Sequence, residues 1–269
     1  MIRKAILILS VAALALVGAS CQKLQSRDQL NKGVQAFKNA QYPEAVEHFK
    51  TAVELDPGFP VARLYLATAY MQQYIPGADS PENNQMAEAA HDQFMKVLDQ
   101  TPKDKVAIAS IASLYLNQKK WDDAQQWYEK LIGVDPNNAD AYYSMGFIAW
   151  SKWYPAYGTA RANLGMKQED PGPIRDKKVK EELKAKYLPV INGGLQALDK
   201  ALQINPEYDD AMAYENLLIR ERADLMDGKI EYEREIKTAD DWVDKALATK
   251  KIKAEKKSQA TGGIVAEPK

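Results

Sequence analysis

Cysteine is almost missing from this chain of 269 residues: there is one, Cys21. A single thiol closes no disulfide within the chain and supplies no cysteine cluster for a structural zinc site. Histidine is nearly as scarce, with only His48 and His91. Both fall in helical stretches near Glu44, Glu47, Glu88 and Asp92, without an HExxH pattern or a third ligand, so no metal is expected. Asp79, Glu82 and Asn83 share a loop rich in oxygen donors, but not at the spacing of a calcium-binding loop. A Gly-rich phosphate loop, a GxSxG elbow and a Cys–His pairing are absent as well. The carboxylates lie at helix-surface spacing, which assigns no catalytic residue and implies no cofactor. Charge of one sign is also lacking: 36 Lys and Arg against 37 Asp and Glu leave a net charge of -1. That removes any bulk attraction to nucleic acid. No apolar run reaches the roughly 20 residues of a membrane-spanning helix.

The first residues stand apart. Arg3 and Lys4 precede an apolar stretch, Ala5 to Val17, followed by Gly18-Ala19-Ser20-Cys21. A short positive segment, an apolar segment and then small residues are the layout of a secretory signal. A cysteine directly after small residues in this setting resembles the lipobox of bacterial lipoproteins. That resemblance implies cleavage before Cys21 and acylation of its thiol, with 1–20 as signal peptide and 21–25 as a lipid-anchored linker. Gly18 departs from the aliphatic residue the family prefers there. An ordinary signal peptide or an uncleaved anchor are the alternatives. Gln22 rather than Asp after the cysteine implies the outer membrane, facing the periplasm.

What fills the rest is a recurring pattern with prolines as its stops. Ala45-x3-Phe49-x2-Ala52 leads to Pro57, Ala90-x3-Phe94-x2-Val97 to Pro102, Ala124-x3-Tyr128-x2-Leu131 to Pro136, and Leu198-x2-Ala201 to Pro206. Pro102 to Pro136 is a step of 34. A helix-B face precedes each stop, and helix A of each of the first four repeats has a small residue in its middle: Gly33, Ala67, Ala112 and Gly146. Small residues there allow a second helix to approach closely, and a proline past the helix end stops it. Period and residues together resemble the tetratricopeptide repeat. The resemblance implies an all-α solenoid of helix-turn-helix units over 26–250, with repeats at about 26–59, 60–104, 105–138, 139–208 and 209–250.

The period is broken in three places. Pro57 to Pro102 is 45 and Pro136 to Pro206 is 70. The first surplus is a loop within 72–86, where Ser80-Pro81-Glu82 is able to start the next helix. The second, about 151–186, reads as an inserted helical excursion, its aromatic start (Trp150, Trp153, Tyr154, Tyr157) packing on the array; a degenerate repeat ending at Asp170-Pro171 is the alternative. The third, 224–237, is charged and free of proline, and is expected to lengthen the helices. Tyr74-x-Pro76-Gly77-x-x-Ser80-Pro81-Glu82-Asn83 and Asp170-Pro171-Gly172-Pro173 resemble insertions in a group of bacterial tetratricopeptide lipoproteins with no assigned activity. Residues 251–269, Lys-rich and then polar, are expected to form a disordered tail.

The family's groove positions fall here on Leu64, Thr68 and Met71, on Ala109, Ser113, Leu116 and Asn117, on Tyr143, Phe147 and Trp150, and on Ala213, Leu217 and Arg220. The set lacks the Lys/Asn/Arg pattern by which chaperone-binding relatives clamp a peptide carboxylate. It is apolar and aromatic, which suits an apolar segment of a protein partner. The alternative is that 151–186 folds over these residues and makes them core. A non-catalytic scaffold or adaptor in the bacterial envelope follows from the fold by analogy alone. The rival readings are a glycan- or peptidoglycan-associated protein stacking sugars on Trp121, Trp127 and Trp153, and an enzyme with its site in 151–186. Partner identity and oligomeric state are not legible.

Overall fold

The computed structural model describes residues 21–167 and 170–260, and among them every regular element is a helix. The expected signal peptide, 1–20, lies outside the described residues. Helix α1 covers 21–38. It is followed by α2 (Tyr42–Leu55), α3 (Pro60–Gln73), α4 (Pro81–Gln100), α5 (Lys105–Asn117) and α6 (Trp121–Val134). Then come α7 (Ala139–Asn163), α8 (Lys177–Ile204), α9 (Asp209–Ala223) and α10 (Lys229–Ala260). The chain folds as two compact units, one ending at Lys120 and the other beginning at Trp121. Within each unit consecutive helices pack on one another, and α3 also touches α5, as α7 touches α9. Those next-but-one contacts stack one helix pair on the next, the repeat architecture the proline spacing implies.

Local chemistry explains where these helices begin and end. The side chains of Ser80, Asp104, Asn138 and Asp176 each accept a hydrogen bond from the backbone N–H three residues on, satisfying a donor that the first helical turn leaves unpaired. At three helix-A ends the chain turns through a positive φ, at Ala40 (58°), Lys119 (57°) and Gly165 (67°). In each case the next N–H reaches back to a carbonyl of the last turn: Gln41 to Ala36, Lys120 to Tyr115 and Met166 to Arg161. This closure uses up carbonyls that would otherwise be orphaned.

Helix pairs interlock at the small residues. A Cβ on Gly33 would lie 2.4 Å from the Phe49 ring, and one on Gly146 would lie 2.4 Å from Cγ of Leu198. Both large side chains are fully buried, so their volume occupies what a side chain at the glycine would need. The faces Ala45–Phe49–Ala52 of α2 and Ala90–Phe94–Val97 of α4 are buried in the first unit, and the matching residues of α6 and α8 are buried in the second.

The breaks in period take definite forms. In the first unit the extra residues form a loop over 74–80, held by the buried Asn83 amide. Its oxygen accepts from Ile75 N–H (2.7 Å) and its NH2 donates to the carbonyls of Ile75 (3.0 Å) and Ala78 (2.7 Å). In the second unit the surplus of the fourth repeat lengthens both its helices, α7 to 25 residues and α8 to 28. No further helix pair separates them among the described residues. Past the turn at 224–228, residues 229–237 extend α10 at its start. One expectation is corrected: 251–260 is not the start of a disordered tail but the last turns of α10, which Lys253 and Lys256 tie to Asp209 and Glu207. Residues 261–269 lie outside the described residues.

Candidate partner-binding face

The expected groove residues fall on three helices. Leu64, Thr68 and Met71 lie on α3 and Ser113, Leu116 and Asn117 on α5; all six are half-buried. Thr68 turns its hydroxyl to the Leu64 carbonyl (2.8 Å). Asn117 lines a hollow of about 490 Å³ together with Tyr74, Asp79, Glu88, Lys119 and Lys120. This part of the face, in the first unit, is mixed in polarity.

In the second unit the face is aromatic. Tyr143, Phe147 and Trp150 project from one side of α7 and meet Tyr214 of α9, with ring centroids 5.7, 5.4 and 5.5 Å away. Tyr208 stacks on Tyr143 (4.9 Å), Trp121 meets Phe147 edge-on (6.1 Å), and Tyr154 stacks on Trp150 (4.7 Å). Every ring of this cluster keeps part of its surface exposed. The segment 151–186 contributes Tyr154 to it; the remaining ring neighbours are Trp121 of α6, Tyr214 of α9 and Tyr208, the N-cap residue of α9. Tyr214 and Tyr208 were missed in the sequence, although Tyr214 is adjacent to the assigned Ala213.

Carboxylates border the cluster. Tyr208 donates its hydroxyl to Asp140 (2.8 Å), and the Trp150 indole N–H donates to Glu221 (3.0 Å). Burial pushes the Glu221 carboxyl up to about 7, against the lowering by the hydrogen bond from Trp150. Burial also pushes the Tyr143 hydroxyl up to about 12 and raises that of Tyr214, with the charge of Asp210 adding to both.

Trp153 requires a correction. Read above as an exposed ring for a sugar, it is wholly buried, packed on Tyr157 and Tyr187 in the core of the second unit. Trp121 and Trp127 remain partly exposed. Among the described residues no group of three or more His, Cys, Asp or Glu side chains is placed to hold a metal ion. None of the described helices is long and apolar enough to cross a membrane. Cys21 is exposed.

Comparison with known proteins gives this architecture its family. The model described as "Tetratricopeptide repeat" matches residues 36–73, and that described as "TPR repeat" matches 112–152. The solved structure of the MamA protein superposes with a TM-score of 0.56 at 14% identity, covering 91% of this chain and 98% of that one. The chain carries tetratricopeptide repeats. MamA 41-end from Desulfovibrio magneticus RS-1 is similar as well (TM-score 0.57, 16% identity, 84% and 96% of the two chains). So is YrrB, described as "a TPR protein with an unusual peptide-binding site" (0.50, 14%, 83% and 90%). At such identities these likenesses concern the tetratricopeptide fold alone. Among curated relatives, mitochondrial import receptor subunit TOM70 of Rattus norvegicus is 28% identical over 105 residues, 39% of this chain. Its Mus musculus counterpart is 27% identical over the same share. The chain spans only 17% and 16% of the length of these relatives.

Proposed function

We propose that this protein is a non-catalytic interaction scaffold that holds a segment of a protein partner against its helix-A faces, anchored by lipid at Cys21 in the bacterial envelope. The half-exposed ring cluster on α7 and α9 carries the reading. Aromatic side chains give up much apolar area on contact for little loss of rotamer freedom, and they dominate the energetics of protein interfaces. The repeat fold supports it, since within a unit stacked helix pairs present their helix-A faces side by side. Tyr143, Phe147 and Trp150 are the principal contacts in this proposal. Leu64, Thr68, Met71, Ser113, Leu116 and Asn117 are the candidate contacts of the first unit, taken by itself. Arg3, Lys4, the apolar stretch and Ala19-Ser20-Cys21 support export and acylation, and Gln22 rather than Asp after the cysteine supports an outer-membrane location facing the periplasm. Several acyl chains would make such attachment durable, at about 0.8 kcal/mol per buried methylene.

Two results test this. Phe147→Ala with Tyr214→Ala should weaken crosslinking of the partner in membranes by tenfold or more, while the far-ultraviolet circular dichroism stays helical. Melting of the second unit in that variant would make these residues core instead. Radiolabelled palmitate should enter the wild-type protein and not Cys21→Ala. Label that persists in the variant would remove the anchor.

A further inference from the structure

The ring cluster differs from an ordinary apolar patch in its charge surroundings. Elsewhere among the described residues lysine or arginine side chains sit over aromatic rings, as Lys130 does over Trp127 (3.8 Å) and Lys245 over Trp242 (4.1 Å). No such contact is made to Tyr143, Phe147, Trp150 or Tyr214. Arg220, the basic residue on α9 within the expected groove set, is held instead by Asn216 and Asp240. What faces these rings is acidic: Asp140 on Tyr208, Asp210 acting on Tyr143 and Tyr214, and Glu221 beneath Trp150. Glu221 is 6% exposed, and one of its oxygens has no hydrogen-bond partner. An indole whose N–H donates to a carboxyl is enriched in electron density on its face, the property that attracts a cation.

We propose that this face recognises a basic side chain, lysine or arginine, carried on an otherwise apolar segment of the protein partner. The rings supply apolar area and negatively polarised faces, and the Asp140 and Asp210 carboxylates beside them oppose an acidic segment and favour a basic one. The chemistry is the reverse of a carboxylate clamp, which needs clustered lysine and arginine at the groove. The inference rests on the reading of this face as the partner-binding site, and its test separates the two.

The probes are three short, end-blocked peptides alternating leucine with arginine, with citrulline or with glutamate, titrated onto the full-length protein with Trp fluorescence and calorimetry as readouts. Citrulline keeps the shape of arginine and removes its charge. The arginine peptide should bind about tenfold more tightly than the citrulline peptide, and the glutamate peptide should bind least. Asp210→Asn, an exposed substitution that leaves the rings intact, should narrow the arginine–citrulline difference severalfold without altering thermal stability. Equal binding of the arginine and citrulline peptides overturns the cation preference and leaves an apolar docking face. Tighter binding of the glutamate peptide overturns it as well. Failure of all three peptides to bind a correctly folded protein overturns both this inference and the docking face beneath it.

Discussion

Asp224→Ala should lower the unfolding free energy of the second unit by about 3–5 kcal/mol. Asp224 is 3% exposed and lies at the junction between the elongated part of α7, the connection to α8 and the end of α9. Its carboxylate accepts from the Tyr157 hydroxyl (2.9 Å) and from Nη1 of Arg161, which is itself only 4% exposed. The second terminal nitrogen of Arg161 donates to the carbonyls of Lys167 (2.7 Å) and Asp170 (2.6 Å). The Asp224 carbonyl accepts from Ile174 N–H, and Gly172 N–H donates to the Tyr232 hydroxyl. Gly172 runs so close that a Cβ there would lie 1.5 Å from the Asp224 carboxylate. Truncating Asp224 leaves the Arg161 charge buried without its counterion, and that uncompensated charge is the main cost. Urea unfolding measures the loss, and limited proteolysis should open the chain between α7 and α8. Arg161→Leu with Asp224→Leu removes both charges together and should recover half or more of the stability. A loss under about 1 kcal/mol in Asp224→Ala would mean that this junction does not hold the connection in place.

Stability should also rise on acidification from pH 8 to pH 5, by on the order of 2–3 kcal/mol. Burial pushes the Glu215 carboxyl up to about 8 and the Glu221 carboxyl up to about 7, both from 4.5. The folded state therefore holds protons that the unfolded chain releases from about pH 4.5 upward. The stabilisation is fully present below the unfolded value, declines as pH rises, and is gone once Glu221 and then Glu215 have ionised in the folded state. Asp227, held down to about 2 by hydrogen bonds from Lys180 and then Lys184, acts in the opposite sense only at lower pH. It does not offset the trend between pH 5 and 8. Thermal unfolding across this range should show the slope, and Glu215→Gln should flatten most of it. A flat profile in the wild-type protein would mean that water reaches Glu215 in the folded state.

The positions of these carboxyls show how far a sequence can be read. Glu215 stands where Leu66, Ile111 and Met145 stand in the earlier repeats, the seventh position of helix A. Its burial is therefore legible from the repeat register, though not its raised affinity for protons. That depends first on how completely burial removes water from it, then on Asp199 of α8 coming near, with Glu215 Oε1 finding no hydrogen-bond partner. Tyr143, Phe147 and Trp150 were legible as a face because spacings of three and four put them on one side of a helix. Their partner Tyr214 was not, because it arrives from α9, 64 residues beyond Trp150. Trp153, only three residues from Trp150, points into the core. An aromatic run by itself does not say which ring the next layer will cover.

The sequence by itself determined the repeat: a period near 34, a small residue where helices cross, an aromatic residue to fill that space, and a proline where each pair stops. These are local rules of helix geometry and volume, and each acts within one or two turns. Only the tertiary structure decided what the interruptions become. A surplus of 36 residues could have been another repeat, and it became two longer helices. Their connection is held by Arg161 and Asp224, which are 63 residues apart. Charges that far apart in the chain have no influence on each other until burial brings them together and removes the water between them. Ring packing, ion pairing and shifted protonation in the second unit arise at that step.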